Sequence, residues 1–358
     1  MKLYKDAYFG KSFMMIGDSL KRCFRCSYCR ANDNDEKHYT VLPSEVNPLF
    51  KDIPVAVNIF YGDPLIQIDN TVSILRKLEE AGHRGPVIII TKGDLSRFPK
   101  EKFSLDLHFG LSTFGTDSEY DGGSLYQFEK NMDTASSLGY KYSVEFRPLI
   151  YGVNDSPDIV ENIFRIAKNY ETGIGYCGLQ VNSVLEKQLL DEGIVFHPYP
   201  NKKFGMKKSV SDDVNDMFYS FSKEYGVPVF KKTSCLIAWK HNLERDPNAH
   251  YYRPNEVGCN YCPMKEKCVK FKDSLGKPNV EIPFEYIVSE EKKHACGLVK
   301  LGLCKFPSKD CMNLSGKFIR INEKITTTDV RLIKWLTGFT VIAEFEELPY
   351  MSNKWIKL

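Results

Sequence analysis

The 358-residue chain has no long uninterrupted apolar run: the best candidate among the first thirty residues, 12–16, is too short for a signal-peptide core or a membrane span. That absence leads us to expect a cytoplasmic protein with no membrane partner. It also lacks a strong overall charge, with a formal net value of +3, and it has neither internal repeats nor low-complexity stretches. With 42% hydrophobic and 27% charged residues it is too apolar for disorder, so a folded globular chain is expected. Length alone allows one large α/β domain or two to three smaller ones.

Eleven cysteines are the most informative feature present. In a reducing compartment they are not expected to form structural disulfides, and short spacings between them then indicate metal or cluster ligation. The charge is also uneven. Residues 201–325 carry 23 Lys and Arg against 15 Asp and Glu, which suits an anionic partner as well as it suits a solvated lysine-rich surface.

From 12 to 180 short apolar runs alternate with longer amphipathic ones, the pattern of βα units around a parallel sheet. Strands are expected over 12–16, 55–60, 87–91, 105–112, 142–149 and 173–180, and helices over 68–81, 124–138 and 157–169. Gly82 and Gly139 stand just past helix ends, and Ser156-Pro157 stands at a helix start. Six such units predict an α/β fold, a partial (β/α)6 parallel barrel with a cysteine-rich C-terminal extension, whose reactive residues sit at the carboxyl ends of strands. Beyond about 200 the pattern changes: a helix over 210–225, a short strand over 227–230, an aperiodic cysteine-bearing segment to 280, and a terminal helix (328–336) with strand-like runs at 339–345 and 355–357. We therefore divide the chain into a barrel (1–200), a metal-ordered region (201–280) and a small C-terminal module (281–358).

Cys23, Cys26 and Cys29 form C-x2-C-x2-C directly after the first expected strand, beside Arg22, Arg25 and Arg30. Three thiolates this close can converge on one soft centre, and neighbouring cations favour the thiolate. Three ligands leave the fourth iron of a [4Fe-4S] cluster without a protein side chain. A zinc knuckle is the alternative; it needs a fourth Cys or His, and the nearest is His38.

The Cys26-Ser27-Tyr28-Cys29 segment, after the first strand of a six-unit βα half, resembles the radical S-adenosylmethionine superfamily, with Tyr28 at the aromatic position of its C-x3-C-x-aromatic-C motif. The first gap here has two residues instead of three, since Arg22 stands four before Cys26. The resemblance implies an enzyme that binds S-adenosyl-L-methionine at a [4Fe-4S] cluster and cleaves it reductively to a 5′-deoxyadenosyl radical for hydrogen abstraction. It implies further that Tyr61-Gly62-Asp63-Pro64, where the family commonly carries Gly-Gly-Glu-Pro, holds the methionine amino group. Ser112 and Glu145 or Arg147 become candidates for the cofactor's carboxylate and ribose, and the segment around Leu179 supplies backbone contacts to adenine. Residues 144–155 are similar to the spore photoproduct lyase group, which points to nucleic acid.

Cys259-x2-Cys262-x5-Cys268 resembles part of the SPASM extension, which binds auxiliary [4Fe-4S] clusters and accompanies peptide modification; Lys272 stands where a further cysteine is expected, so one auxiliary cluster fits better than two. Cys235 is the preferred fourth ligand and Cys296 its competitor, while structural zinc stays open for this site. Cys296, Cys304 and Cys311, near His294, are read as unrelated buried thiols in preference to a third metal site, and Cys177 as a small core residue. The expected partners are a peptide or nucleic-acid substrate and a reductant such as flavodoxin or ferredoxin, and the reaction class is oxidoreductase, transferase or lyase. The contrasting reading is a non-enzymatic zinc-binding nucleic-acid adaptor.

Overall fold

The computed structural model describes residues 8–9, 14–16, 26–29, 54–57, 62–181, 183–200, 210–243, 257–273, 312–315, 318–326 and 340–346. Its main element is one sheet in which the strands follow chain order: β1 (Tyr8–Phe9), β2 (Met14–Ile16), β3 (Val55–Val57), β4 (Val87–Thr91), β5 (Leu107–Thr113), β6 (Lys141–Leu149), β7 (Ile174–Gly178) and β8 (Val229–Phe230). β1 pairs antiparallel with β2, and every pairing from β2 to β8 is parallel. This is the expected α/β partial parallel barrel. The expected short strand at 227–230 joins it as a further parallel strand.

Helices α1 (Ile68–Glu80), α2 (Leu125–Leu138), α3 (Pro157–Asn169) and α5 (Asp212–Tyr225) cover one face. Alternation along the strands decides which residues meet them. Val55, Val57, Val87, Ile89, Leu107, Phe109, Leu111, Val144, Phe146, Ile174 and Tyr176 share a single core with Leu75, Met132, Phe164 and Phe218 from these helices. Each such buried side chain contributes about 1.5–3 kcal/mol relative to exposure. Helix punctuation follows the sequence. The Ser124 hydroxyl accepts from Gln127 N at the start of α2, the Ser211 hydroxyl accepts from Val214 N at the start of α5, and Gly139 and Gly226 end these helices at φ +68°.

The opposite face has a different cover, which the sequence pattern did not announce. Residues 236–280 were expected to be irregular, yet α6 (Thr233–Lys240) packs on this face, with Ile237 against Ala56, Ile88 and Ile90. Leu236 and Trp239 stand where a Cβ on Gly173 would fall, at 2.9 and 3.1 Å. A buried polar chain pins the end of α6. His241 Nδ1 lies 2.6 Å from Asp106 Oδ2, His241 Nε2 lies 3.2 Å from His108 Nδ1, and His108 Nε2 lies 2.8 Å from Ser143 Oγ. Lys141 Nζ also donates to Asp106, at 2.9 Å. Burial holds His108 well below its ordinary pKa of 6.5, helped by His241 and Lys240. Burial lowers His241 too, against the opposing pull of Asp106. With both rings neutral, one set of tautomers satisfies the chain: Nδ1–H of His241 donates to Asp106, Nδ1–H of His108 donates to His241, and the Ser143 hydroxyl donates to His108. These groups sit at the amino-terminal ends of β5 and β6, with Ser143 two residues before the site candidate Glu145 on β6 and His108 four before Ser112 on β5.

The remaining helices are α4 (Ser183–Asp191), α7 (Val257–Asn260) and α8 (Lys265–Asp273). A second sheet, β9 (Met312–Ser315), β10 (Phe318–Thr326) and β11 (Thr340–Glu346), has β10 in its centre, antiparallel to β9 and parallel to β11. Of the terminal elements expected, the strand at 339–345 is β11, but its partner is the unforeseen β10. The helix at 328–336 and the strand at 355–357 lie outside the described residues. Among the described residues no helix is long and apolar enough to cross a membrane.

Candidate active site at the carboxyl edge of the sheet

Cys26, Ser27, Tyr28 and Cys29 form a turn closed by Cys29 N donating to Cys26 O at 3.1 Å. The turn rests on the loop after β5. Ser27 N donates to Tyr120 O at 3.0 Å, Gly122 N donates to Cys26 Sγ at 3.2 Å, and the Cys26 thiol lies 3.2 Å from Asp121 Oδ1. The Tyr28 hydroxyl and Lys92 Nζ converge on that same carboxylate oxygen, and Lys92 Nζ is 2.6 Å from the Tyr28 hydroxyl. The Tyr28 ring stacks on Phe114 with centroids 5.6 Å apart and planes 9° from parallel. Burial pushes the Cys26 thiol up to about 11, with Lys92 acting to lower it and Asp121 to raise it. Burial and Asp121 likewise raise the Tyr28 phenol.

These groups fit a thiolate-bound centre. Two cysteines share one turn, a backbone N–H already points at one sulfur, and a lysine stands by to offset negative charge. Cys23, with Arg22, Arg25, Arg30 and His38, lies outside the described residues. Among the described residues no group of three or more His, Cys, Asp or Glu side chains is disposed to hold a metal. Within the described residues the cation beside Cys26 is Lys92, just past the end of β4.

Within the tetrapeptide after β3, Tyr61 lies outside the described residues and Gly62 has φ +128°. Asp63 is buried and its carboxylate is saturated inside the chain. Oδ1 accepts from Leu65 N at 2.9 Å and from the Thr91 hydroxyl at 2.5 Å, while Oδ2 accepts from Lys92 N at 2.6 Å and Gly93 N at 3.2 Å. Burial raises its pKa while these hydrogen bonds pull the other way. The side chain thus ties the loop after β3 to the loop after β4. What this segment offers outward is backbone, with Pro64 O anchored by the Thr71 hydroxyl at 2.7 Å.

Glu145 and Arg147 stand one alternation apart on β6, on the face opposite the helix-packed core, and form an ion pair at 2.9 Å. Burial opposes the guanidinium charge of Arg147, but Glu145 and then Cys177 outweigh it and hold it firmly protonated. The Thr233 hydroxyl of α6 reaches Glu145 Oε2 at 3.4 Å. Space for the pair comes from missing side chains on both flanking strands: a Cβ on Gly110 would lie 3.2 Å from Glu145 Cγ, and one on Gly175 would lie 2.7 Å from Glu145 Oε2. Ser112 is directly opposite Glu145 in the β5–β6 register. Leu179 belongs to an apolar cluster with Phe114, Ile150 and Phe196, against which Tyr28 and Tyr120 pack. The cysteine turn and the segment after β7 therefore meet at one edge, as the sequence pattern required. Asn154 braces that edge, its Oδ1 accepting from Ile150 N at 2.7 Å and its Nδ2 donating to Phe114 O and Pro148 O, each at 2.9 Å.

Lys92, Asp121 and Gly122 were not singled out as partners of Cys26 by sequence reasoning. They lie 66 to 96 positions away from Cys26 in the chain, and only their common position after β4 and β5 links them. In the second region, Cys235 on α6, Cys262 in the turn between α7 and α8, and Cys268 on α8 share an apolar cluster with Phe230, Leu236 and Met264. Cys259, on α7, is half-buried. Cys296, Cys304 and Cys311 lie outside the described residues.

No protein-family model matches the chain, and no curated protein matches it. Among solved structures it is similar to spore photoproduct lyase complexed with a dinucleoside spore photoproduct, at 11% identity and TM-score 0.44, covering 58% of this chain and 74% of that one. A single-substitution mutant of the same lyase aligns at 11% identity and TM-score 0.41 over the same shares, 58% and 74%. A histidine-tagged anSMEcpe with bound AdoMet aligns at 13% identity and TM-score 0.36, covering 59% of this chain and 56% of that one.

Proposed function

We propose that the chain is a radical S-adenosylmethionine enzyme acting on a macromolecule, a peptide or a nucleic acid. The observation that carries this reading is the Cys26–Tyr28–Cys29 turn at the carboxyl edge of a parallel sheet, against Phe114 and the apolar cluster of Leu179. Cys23, Cys26 and Cys29 would hold the [4Fe-4S] cluster. When bound, the cluster and S-adenosyl-L-methionine supply one-electron cleavage of a sulfonium carbon–sulfur bond, releasing methionine and a 5′-deoxyadenosyl radical that takes a hydrogen atom from the substrate.

The residues of the chain bind and orient. Tyr28 gives an aromatic wall. The backbone of Gly62 and Pro64, with Tyr61, receives the ammonium group, while Asp63 fixes that loop without touching the ligand. Arg147 and Ser112 face the carboxylate and ribose, with Glu145 holding the Arg147 guanidinium in place, and the segment at Leu179 borders adenine. Cys235, Cys259, Cys262 and Cys268 are the thiols that one auxiliary [4Fe-4S] cluster would need, but as described they form no group disposed to hold a metal, so binding it requires them to draw together. The barrel takes in 1–200 together with α5, β8 and α6, which pack into its sheet and core; the rest of 201–280 is the auxiliary region and 281–358 a C-terminal module. The electron comes from a flavodoxin- or ferredoxin-like donor in the cytosol, where these thiols stay reduced.

Anaerobic purification with iron, sulfide and 5′-deoxyadenosine assays tests this. Cys26→Ala is expected to abolish S-adenosylmethionine cleavage, whereas Cys262→Ala keeps a measurable fraction of it. Full cleavage by Cys26→Ala, or zinc in place of iron and sulfide, refutes the reading.

A further inference from the structure

Asp121 does more than neighbour a cysteine. Its Oδ1 is the common acceptor for three groups from two separate segments: the Cys26 thiol at 3.2 Å and the Tyr28 hydroxyl of the cysteine turn, and the Lys92 ammonium after β4. Its side chain is 3% exposed and that of Lys92 12% exposed, so both charges are nearly removed from water and each depends on the other. The next residue, Gly122, directs its N–H at the same sulfur from 3.2 Å. Loop and lysine together thus grip the turn at 26–29 from outside the cysteine motif.

We propose that Asp121 and Lys92 are positioning residues that seat this turn and set, with opposite signs, the reduction potential of the centre it holds. The inference rests on the reading of Cys26 as a cluster ligand. On ligation the sulfur loses its proton, and Asp121 ceases to accept from it and remains as a fixed negative charge beside it. A negative charge at this distance opposes addition of an electron, and the Lys92 cation favours it. Tyr28 and Lys92 keep the carboxylate in place, so that charge stays beside the sulfur.

The test compares the reconstituted wild-type protein with Asp121→Asn and Lys92→Gln, both of which keep hydrogen-bonding atoms while removing one charge. Redox titration followed by electron paramagnetic resonance reads the potential. Asp121→Asn is expected to shift it upward and Lys92→Gln downward, each by roughly tenfold in the reduction equilibrium, about 59 mV for one electron. A merely structural role would loosen the turn in both variants and move both potentials the same way. Shifts of equal sign, or no shift in either, overturn the electrostatic assignment. If the wild-type protein binds no iron and sulfide, the enzymatic reading falls and the electrostatic assignment falls with it. The seat is judged independently by amide hydrogen exchange on the full chain as purified: Asp121→Ala is expected to speed exchange across 26–29, and unchanged exchange there overturns it.

Discussion

Lowering the pH from 7.5 to 5.5 should destabilise the fold where α6 meets the barrel, and the size of the effect follows from two histidines. His108 and His241 are buried, and both are held below the ordinary histidine value of 6.5, mainly by burial. A histidine kept neutral in the folded chain takes up a proton only on unfolding, so its stabilising contribution is complete above 6.5 and declines as the pH falls below it. For an unfolded pKa of 6.5 and a folded ring that stays neutral, the loss at pH 5.5 is at most about 1.4 kcal/mol per histidine, or about 2.8 kcal/mol for the pair. Asp106 adds nothing in this window. Burial alone would raise its pKa, but His241 and Lys141 hold it at about 2, so its contribution disappears only as the pH drops below the ordinary value of 3.8. Urea unfolding at constant ionic strength, at pH 7.5 and 5.5, measures the difference. His108→Gln should be less stable than wild type at pH 7.5 by about 1–3 kcal/mol, because a partner of Ser143 or His241 is left unmet. Its loss between the two pH values should be roughly half that of the wild type. An identical pH loss in both proteins would refute the reasoning, since the other five histidines are shared by both.

Two further outcomes test the geometry of the candidate site. Gly175→Ala places a methyl 2.7 Å from Glu145 Oε2 and 3.2 Å from Leu236 Cδ2, and Glu145 has no free direction because Arg147 and Thr233 hold it; thermal unfolding should show a loss of about 1–3 kcal/mol. Asn154→Ala removes one acceptor and two donor contacts from a fully buried position and should cost about 1–3 kcal/mol, measured by chemical denaturation, with the loop at 150–155 exchanging amide hydrogens faster than the rest of the barrel.

The parallel barrel is legible in the amino-acid sequence because local residue patterns carry it. Apolar runs such as 87–91, broken by amphipathic helices with serine starts and glycine stops, specify strand, helix and chain-ordered winding from local preferences alone. The cysteine turn and its place after the first strand are legible for the same reason. The strand β10 is poorly marked, lying beyond a cysteine-rich stretch, although Phe318-Ile-Arg-Ile alternates partly in the manner of a strand. Helix α6 is hidden more deeply: Leu236, Ile237 and Ala238 are consecutive buried residues, so no polar stripe marks a helix lying against the interior of a sheet.

Sequence by itself thus determined the order of the strands, the face each strand turns to its helices, and the edge at which polar residues gather, since all three follow from periodicity and chain connectivity. Tertiary structure alone decided what those residues touch. It turned Asp63 into a brace between two loops, gave Glu145 its room through two glycines on neighbouring strands, and brought Lys92 and Asp121 to Cys26 across more than sixty residues. The reason is one of range: backbone preference acts over a few residues, whereas a buried charge takes whichever partner the packed fold sets beside it.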